Sequence, residues 1–278
     1  MLEVTGLTRS FASHAAIENF SLQVAAGELA AIVGPSGCGK STLLRCIAGL
    51  LPPTSGQVVL HGTPVTRVPD RLAVVFQDYS RSLYPWMSVQ ANVALPLRRT
   101  VRGRRQRREA ALAALGQVGL AESAGKYPWE LSGGMQQRAA IARALACDPL
   151  LLLMDEPFGS LDAQTREDLE DLVLRLRAER GITILLVTHD IDESVYTGDR
   201  VIVLSGSPGR IVAEIPVGLP SPRDQIATRE LREFTRLRSE VSRLVFSGDP
   251  PGTSSPAAEQ APPRHWPATP VDTGPGDG

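Results

Sequence analysis

The sequence predicts an α/β protein built on a mostly parallel β-sheet. Three observations carry that prediction. Leu29–Val33, Leu150–Met154 and Ile182–Val187 are continuous apolar runs, which suit strands buried on both faces of a parallel sheet. Helical periodicity fills the stretches around them, at Thr42–Leu50, Arg107–Val118, Gln136–Cys147, Thr165–Arg180 and Asp224–Phe246. A glycine-rich turn joins the first buried run to the first helical one. Alternation of this kind marks the α/β class.

The elements follow in order. Leu2–Leu7 and Phe20–Val24 alternate apolar and polar residues, as half-buried strands do. The three apolar runs and their helices come next. Ser221-Pro222-Arg223-Asp224 supplies helix-start chemistry resembling a capping box. Phe234, Leu237, Val241, Leu244 and Val245 then form one apolar stripe, predicted to pack on the sheet. From Gly248 the character changes. The last 31 residues hold eight of the 22 prolines and a net charge of -3, so residues 248–278 read as a disordered Pro/Gly-rich tail.

Composition excludes several classes. The chain has 278 residues, 42% hydrophobic and 21% charged, with a formal net charge of -1. That balance excludes a generally polycationic nucleic-acid binder. No run of 18 apolar residues is present, so no membrane span is predicted, and the first residues do not read as a signal peptide. Cys38, Cys46 and Cys147 form neither a disulfide framework nor a metal-ligand spacing. Of the 29 basic residues, only Lys40 and Lys126 are lysines. Seven arginines fall within Arg98–Arg108, read as a solvated loop and helix start.

Residues 34–42, GPSGCGKST, match the P-loop pattern through Gly34, Gly39, Lys40 and Ser41, between a strand and a helix as that motif requires. Glycines let the backbone wrap an anion so that successive N–H groups point at phosphate oxygens. The helix that follows adds the positive end of its dipole. Lys40 is placed to reach the β- and γ-phosphates, and the Ser41 hydroxyl to meet Mg²⁺. Cys38 lies inside the loop. Lys40 and the helix N-terminus are expected to lower its pKa and make it reactive, unless a small side chain is all the position demands. The buried strand LLLLMDE ends in two acids at the carboxyl edge of the sheet, where phosphates sit. Asp155 is read as holding the Mg²⁺ shell, and Glu156 as orienting or deprotonating the attacking water.

LSGGMQQR at 131–138 resembles the signature motif of the ATP-binding subunits of ABC transporters. The order also matches: P-loop, Gln77 in VFQD, signature, the Asp155-Glu156 strand, SLD at Ser160–Asp162, then His189 in VTHD. The resemblance covers about 1–247. It implies a P-loop NTPase ABC ATPase core with a mostly parallel sheet, an antiparallel β subdomain and a helical subdomain inserted at about 78–147. It implies ATP and Mg²⁺ as cofactors and ATP hydrolysis as the activity.

Roles carry over position by position. Phe11 falls where a ring stacks on adenine, and could instead be a core residue. Gly34, Pro35, Ser36, Gly37, Cys38, Gly39, Lys40, Ser41 and Thr42 bind the triphosphate. Gln77 contacts Mg²⁺ and the lytic water. Ser132, Gly133 and Gly134 present a hydroxyl and N–H groups to an ATP held by the other subunit, and Asp162 lies in the loop crossing the dimer interface. His189 contacts the γ-phosphate. Ser160 stands where the family usually has Ala.

The resemblance implies partners. One cassette per chain requires a second copy or a related subunit. Permeases would be separate polypeptides, supplied by an extracytoplasmic solute-binding protein, with this chain on the cytoplasmic face of the membrane. No nucleic acid is expected. Within 78–89, Tyr79, Leu83, Tyr84 and Trp86 are read as an exposed patch that receives a permease helix, or as subdomain core. SLYPWMSVQANVALPL, THDIDESVYTGDRVIVLSGSPGRIVAEIPV and RELREFTRLRSEV look like the nitrate/sulfonate/taurine importer branch. The alternative is a soluble ABC-type ATPase acting on a non-transport partner.

Overall fold

The computed structural model describes residues 2–12, 14–78 and 82–247. The proline-rich tail and Tyr79 lie outside the described residues.

Two sheets organise the chain. The smaller is antiparallel. It pairs β1 (Leu2–Phe11) with β2 (His14–Val24) on one side and with β4 (Ser55–Leu60) on the other, and β4 then pairs with β5 (Thr63–Pro64). The larger runs β10-β9-β3-β8-β7-β6, through β3 (Leu29–Val33), β6 (Leu72–Val75), β7 (Leu151–Asp155), β8 (Thr183–Thr188), β9 (Arg200–Leu204) and β10 (Ile211–Pro216). All its pairings are parallel except β9 with β10. The three apolar runs are its central strands, β3, β8 and β7, with every residue buried.

That burial is two-sided. Leu151 and Leu153 join a core with Leu43, Leu44 and Ile47 of α1 (Lys40–Ile47) and with Leu2, Val4 and Phe20 of the antiparallel sheet. Leu152 and Met154 point the other way, into a core shared with α4 (Gly133–Leu145) and α5 (Ala163–Arg180). Each such leucine contributes about 1.5–3 kcal/mol by leaving water. The same core takes in α2 (Val89–Ala94) and α3 (Arg104–Gln117). A third core packs α6 (Ile191–Thr197) against the last helix and β9.

Two sequence expectations need correction. The predicted helix Asp224–Phe246 is two helices, α7 (Ala227–Glu230) and α8 (Arg232–Ser247), separated by Leu231 in extended conformation. The break lets each helix serve a different surface. Arg229 of α7 reaches Glu170 on α5, while Phe234, Leu237, Val241 and Leu244 of α8 are buried against β9 and β10. Asp224, not Ser221, caps the first turn by accepting the N–H groups of Ile226 and Ala227. Leu83 is buried in the core with Val89 and Val93, whereas Tyr84 and Trp86 are exposed with ring centroids 5.3 Å apart. An aliphatic side chain carries no polar tip and goes inside; tyrosine and tryptophan can stay at the surface.

Candidate active site

The P-loop closes the gap between β3 and α1. Gly37 and Gly39 have φ values of 78° and 97°, in the left-handed region that glycine reaches without strain. Gly39 is needed for a second reason. A Cβ there would lie 2.5 Å from the Ala16 carbonyl oxygen, so the antiparallel sheet presses directly on the loop. Gly209, in the β9–β10 turn, also presses on the loop: its Cβ would stand 2.3 Å from the Cys38 carbonyl oxygen. The Gly209 N–H donates to Ala16 O at 2.9 Å, which ties both supports together. Sequence reasoning did not single out Gly209. The SGSPG turn pattern around it was the available signal.

Lys40 is buried, and its Nζ donates to the carbonyls of Gly34 (2.7 Å) and Pro35 (3.0 Å). A buried ammonium requires such partners, since a bare one is strongly disfavoured. The next residue turns toward β7, where Ser41 Oγ donates to Asp155 Oδ1 at 3.1 Å. Asp155 is buried at the end of β7. Burial pushes its carboxyl above the usual range, and the Ser41 hydroxyl opposes that push. Thr42 follows on the first turn of α1.

Cys38 departs from expectation. Its thiol is buried, and desolvation pushes the pKa up; the Lys40 charge acts in the opposite sense and is the smaller effect. The reactive thiolate read from the loop sequence is therefore overturned. The buried thiol loses more water than the neighbouring charge returns.

Three predicted residues meet one residue beyond the strand β7. Gln77 Nε2 donates to Glu156 Oε2 at 2.8 Å, and His189 Nδ1 lies 3.1 Å from the same oxygen. They come from three segments, following β6, β7 and β8, which are neighbours in the sheet. Parallel strands place their carboxyl ends side by side, so three residues distant in sequence share one edge. Glu156 has φ 44°, uncommon for a non-glycine residue, and its N–H is held by the Val187 carbonyl.

Ser132, Gly133, Gly134 and Asp162 are placed differently. Ser132 is the exposed N-cap of α4 and accepts the Met135 N–H at 3.3 Å. Asp162 is the exposed N-cap of α5 and accepts the Thr165 N–H at 3.0 Å, a bond that holds its carboxyl below the usual range. The two caps are neighbours, because a Cβ on Gly134 would stand 2.3 Å from Thr165 Cγ2. Among the described residues, no hydrogen bond of Ser132 or Asp162 reaches Gly34–Thr42. Phe11 is exposed at the end of β1 rather than in the core, with the Arg9 guanidinium 4.7 Å from its ring centroid.

Comparisons with known proteins agree with this geometry. Residues 17–159 match the family described as ABC transporter. The chain is 46% identical over 250 residues to the taurine import ATP-binding protein TauB of Yersinia pestis bv. Antiqua, covering 88% of this chain and 97% of that protein. It is 45% identical over 234 residues to the nitrate import ATP-binding protein NrtC of Synechococcus elongatus, covering 83% of this chain but only 35% of the relative. Among solved structures, a dimeric ATP-binding cassette in a post-hydrolysis state with ADP and Pi aligns at a TM-score of 0.69 and 35% identity, over 78% of this chain and 99% of that one. A strand-flanked P-loop, an acid pair on the adjoining strand end and these matches lead to one conclusion: the chain belongs to the ABC transporter family, as one of its ATP-hydrolysing cassettes.

Proposed function

We propose that this chain energises an importer for a small anionic solute such as nitrate, taurine or another sulfonate. The reading rests on the convergence of Gln77 and His189 on the Glu156 carboxylate, one residue beyond an Asp155 already bonded to Ser41. The solute class follows the names of the relatives, since a cassette does not touch the solute.

The chemistry assigned to each group follows from its setting. ATP phosphates replace the Gly34 and Pro35 carbonyls as partners of Lys40, so the ammonium exchanges two dipoles for a full negative charge. The N–H groups of Gly37–Thr42 point at the same phosphates, and Phe11 supplies a ring face to adenine. Glu156 orients the attacking water and accepts its proton; Gln77 and His189 hold that carboxylate in place. A serine hydroxyl beside a carboxylate is a hard-oxygen donor set, and it fits Mg²⁺. Ser41 and Asp155 would hold the ion, with Gln77 contributing once its amide turns from Glu156. The ion supplies neutralisation of phosphate charge. Ser132, Gly133, Gly134 and Asp162 act on an ATP bound by a second copy of the chain.

In this reading residues 1–247 form one cassette with a helical subdomain at about 78–147. The cassette sits peripherally on the cytoplasmic face of the membrane, below separate permease subunits that a solute-binding protein feeds. No described helix is long and apolar enough to cross a membrane. Two measurements test the proposal. Glu156→Gln should bind ATP, cease turnover and run as a dimer only with nucleotide; a variant that stays monomeric with ATP refutes the paired site. Deleting the gene should abolish cellular uptake of labelled nitrate, taurine or an alkanesulfonate, and unchanged uptake of all of them refutes the importer assignment.

A further inference from the structure

The turns that carry Asp162 and His189 are each capped within their own segment. Asp162 Oδ1 accepts the Thr165 N–H at 3.0 Å, and Asp190 Oδ1 accepts the Glu193 N–H at 3.1 Å. Neither cap touches the other. A further side chain touches both turns. Arg166, one turn into α5, donates from Nη2 to the Leu161 carbonyl at 3.2 Å, and its Nη1 lies 3.6 Å from Asp190 Oδ2. Its own N–H bonds the Asp162 carbonyl at 2.9 Å. A single planar fork therefore grips the residue before Asp162 and the residue after His189.

Stability does not explain this arrangement. The ion pair is long and about one-third exposed on each side, the kind that contributes little. The buried Nε of Arg166 has no hydrogen-bond partner, which opposes folding. The surroundings instead hold the His189 turn firmly from below. Thr188 Oγ1 accepts the Asp190 N–H at 2.9 Å, and the Thr188 hydroxyl is bonded to the buried Glu193. A guanidinium fixes two acceptors at a set separation, which an ammonium on a flexible stem does not.

We propose that Arg166 is a positioning residue that ties the Asp162 turn to the His189 turn, so that engagement of Asp162 by a second copy of the chain sets the position of His189. This rests on the site roles proposed above. It makes hydrolysis depend on pairing through a strut inside one chain, in addition to groups supplied across the interface.

The test uses the full chain and steady-state ATP hydrolysis. Arg166→Met keeps the stem of the side chain to about the position of Nε and removes the fork. It should lower kcat about tenfold while KM for ATP changes less than about twofold, because misplacing a group disturbs the reacting geometry and leaves phosphate binding alone. Asp190→Asn should lower kcat similarly, and the double variant should be no slower than the slower single one, as expected for two ends of one strut. Wild-type kcat in Arg166→Met, or losses that multiply in the double variant, would overturn the proposal. If Arg166→Met melts below the assay temperature, Arg166→Lys decides: a loss of about threefold in kcat supports the strut and wild-type kcat refutes it. His189→Ala, run alongside, separates the two layers. Full turnover in that variant removes the proposed site roles and the strut with them, whereas an inactive His189→Ala beside an unaffected Arg166→Met removes the strut alone.

Discussion

The two halves of the site are built in opposite ways. Lys40 and Asp155 are 6% and 7% exposed and are bonded to the loop backbone and to Ser41, so the phosphate half is closed on itself. Ser132 and Asp162 stand in solvent, bonded only to the first turns of their own helices. In the proposed function the first half binds phosphate with groups of one chain. The second offers a hydroxyl, N–H groups and a carboxylate to something outside the chain. A half-site that faces outward has chemical meaning only if a second copy closes on it.

The strongest challenge to the closed half is Lys40→Arg. The ammonium sits in a buried space with two carbonyls 2.7 and 3.0 Å away, and the larger planar guanidinium does not fit it. ATP turnover should fall by about 100-fold or more, the loss typical of removing one positioned donor. Normal turnover would mean that the pocket is not the phosphate site. The outward half is challenged by mixing. Lys40→Ala and Ser132→Arg chains should each be nearly inactive, and dimers formed from both should regain about a quarter of wild-type turnover through random pairing in a two-fold assembly. No recovery on mixing would place both halves in one chain's own site.

The supports of the two halves should also differ in pH response. Glu170, buried on α5 behind Asp162, is pushed up to about 7 by desolvation, against the pull of Gln225 and Arg229. A carboxyl that keeps its proton longer when folded stabilises most below its unfolded pKa of 4.5. That contribution is lost as pH rises toward 7, and the loss is on the order of 3 kcal/mol at most. Thermal melts at pH 5 and pH 8 should therefore differ less for Glu170→Gln than for the wild type; equal differences would remove Glu170 from the account. The smallest effect concerns Cys38. A thiol reagent at neutral pH should label it far more slowly in the native chain than after denaturation, as measured by mass spectrometry of the labelled peptide. Rapid native labelling would show that the loop is open.

Much of this site was legible because its demands are local. Gly34–Thr42 must make a turn that only certain residues permit, and a strand that ends in Asp155-Glu156 carries its acids to the sheet edge wherever the rest of the chain goes. Gln77 and His189 were placed by resemblance, and their meeting at Glu156 follows from the parallel order of β6, β7 and β8. Other features depended on partners far away in the sequence. Gly209 lies 171 positions beyond Cys38 in the sequence, yet its missing Cβ decides how closely the loop is covered. Nothing near Arg166 in the sequence indicates that its guanidinium will find Asp190. The bend at Leu231 arises because α7 and α8 dock on different surfaces.

Spacing and side-chain type were enough for the class of fold, the phosphate loop and the acid pair, and a family resemblance supplied the signature, because each is a property of a short segment. The protonation of Cys38, the burial of Leu83, the division of the last helix and the link between the Asp162 and His189 turns were decided only when distant segments packed. Desolvation and side-chain reach are sums over neighbours in space, and those neighbours here come from every part of the chain.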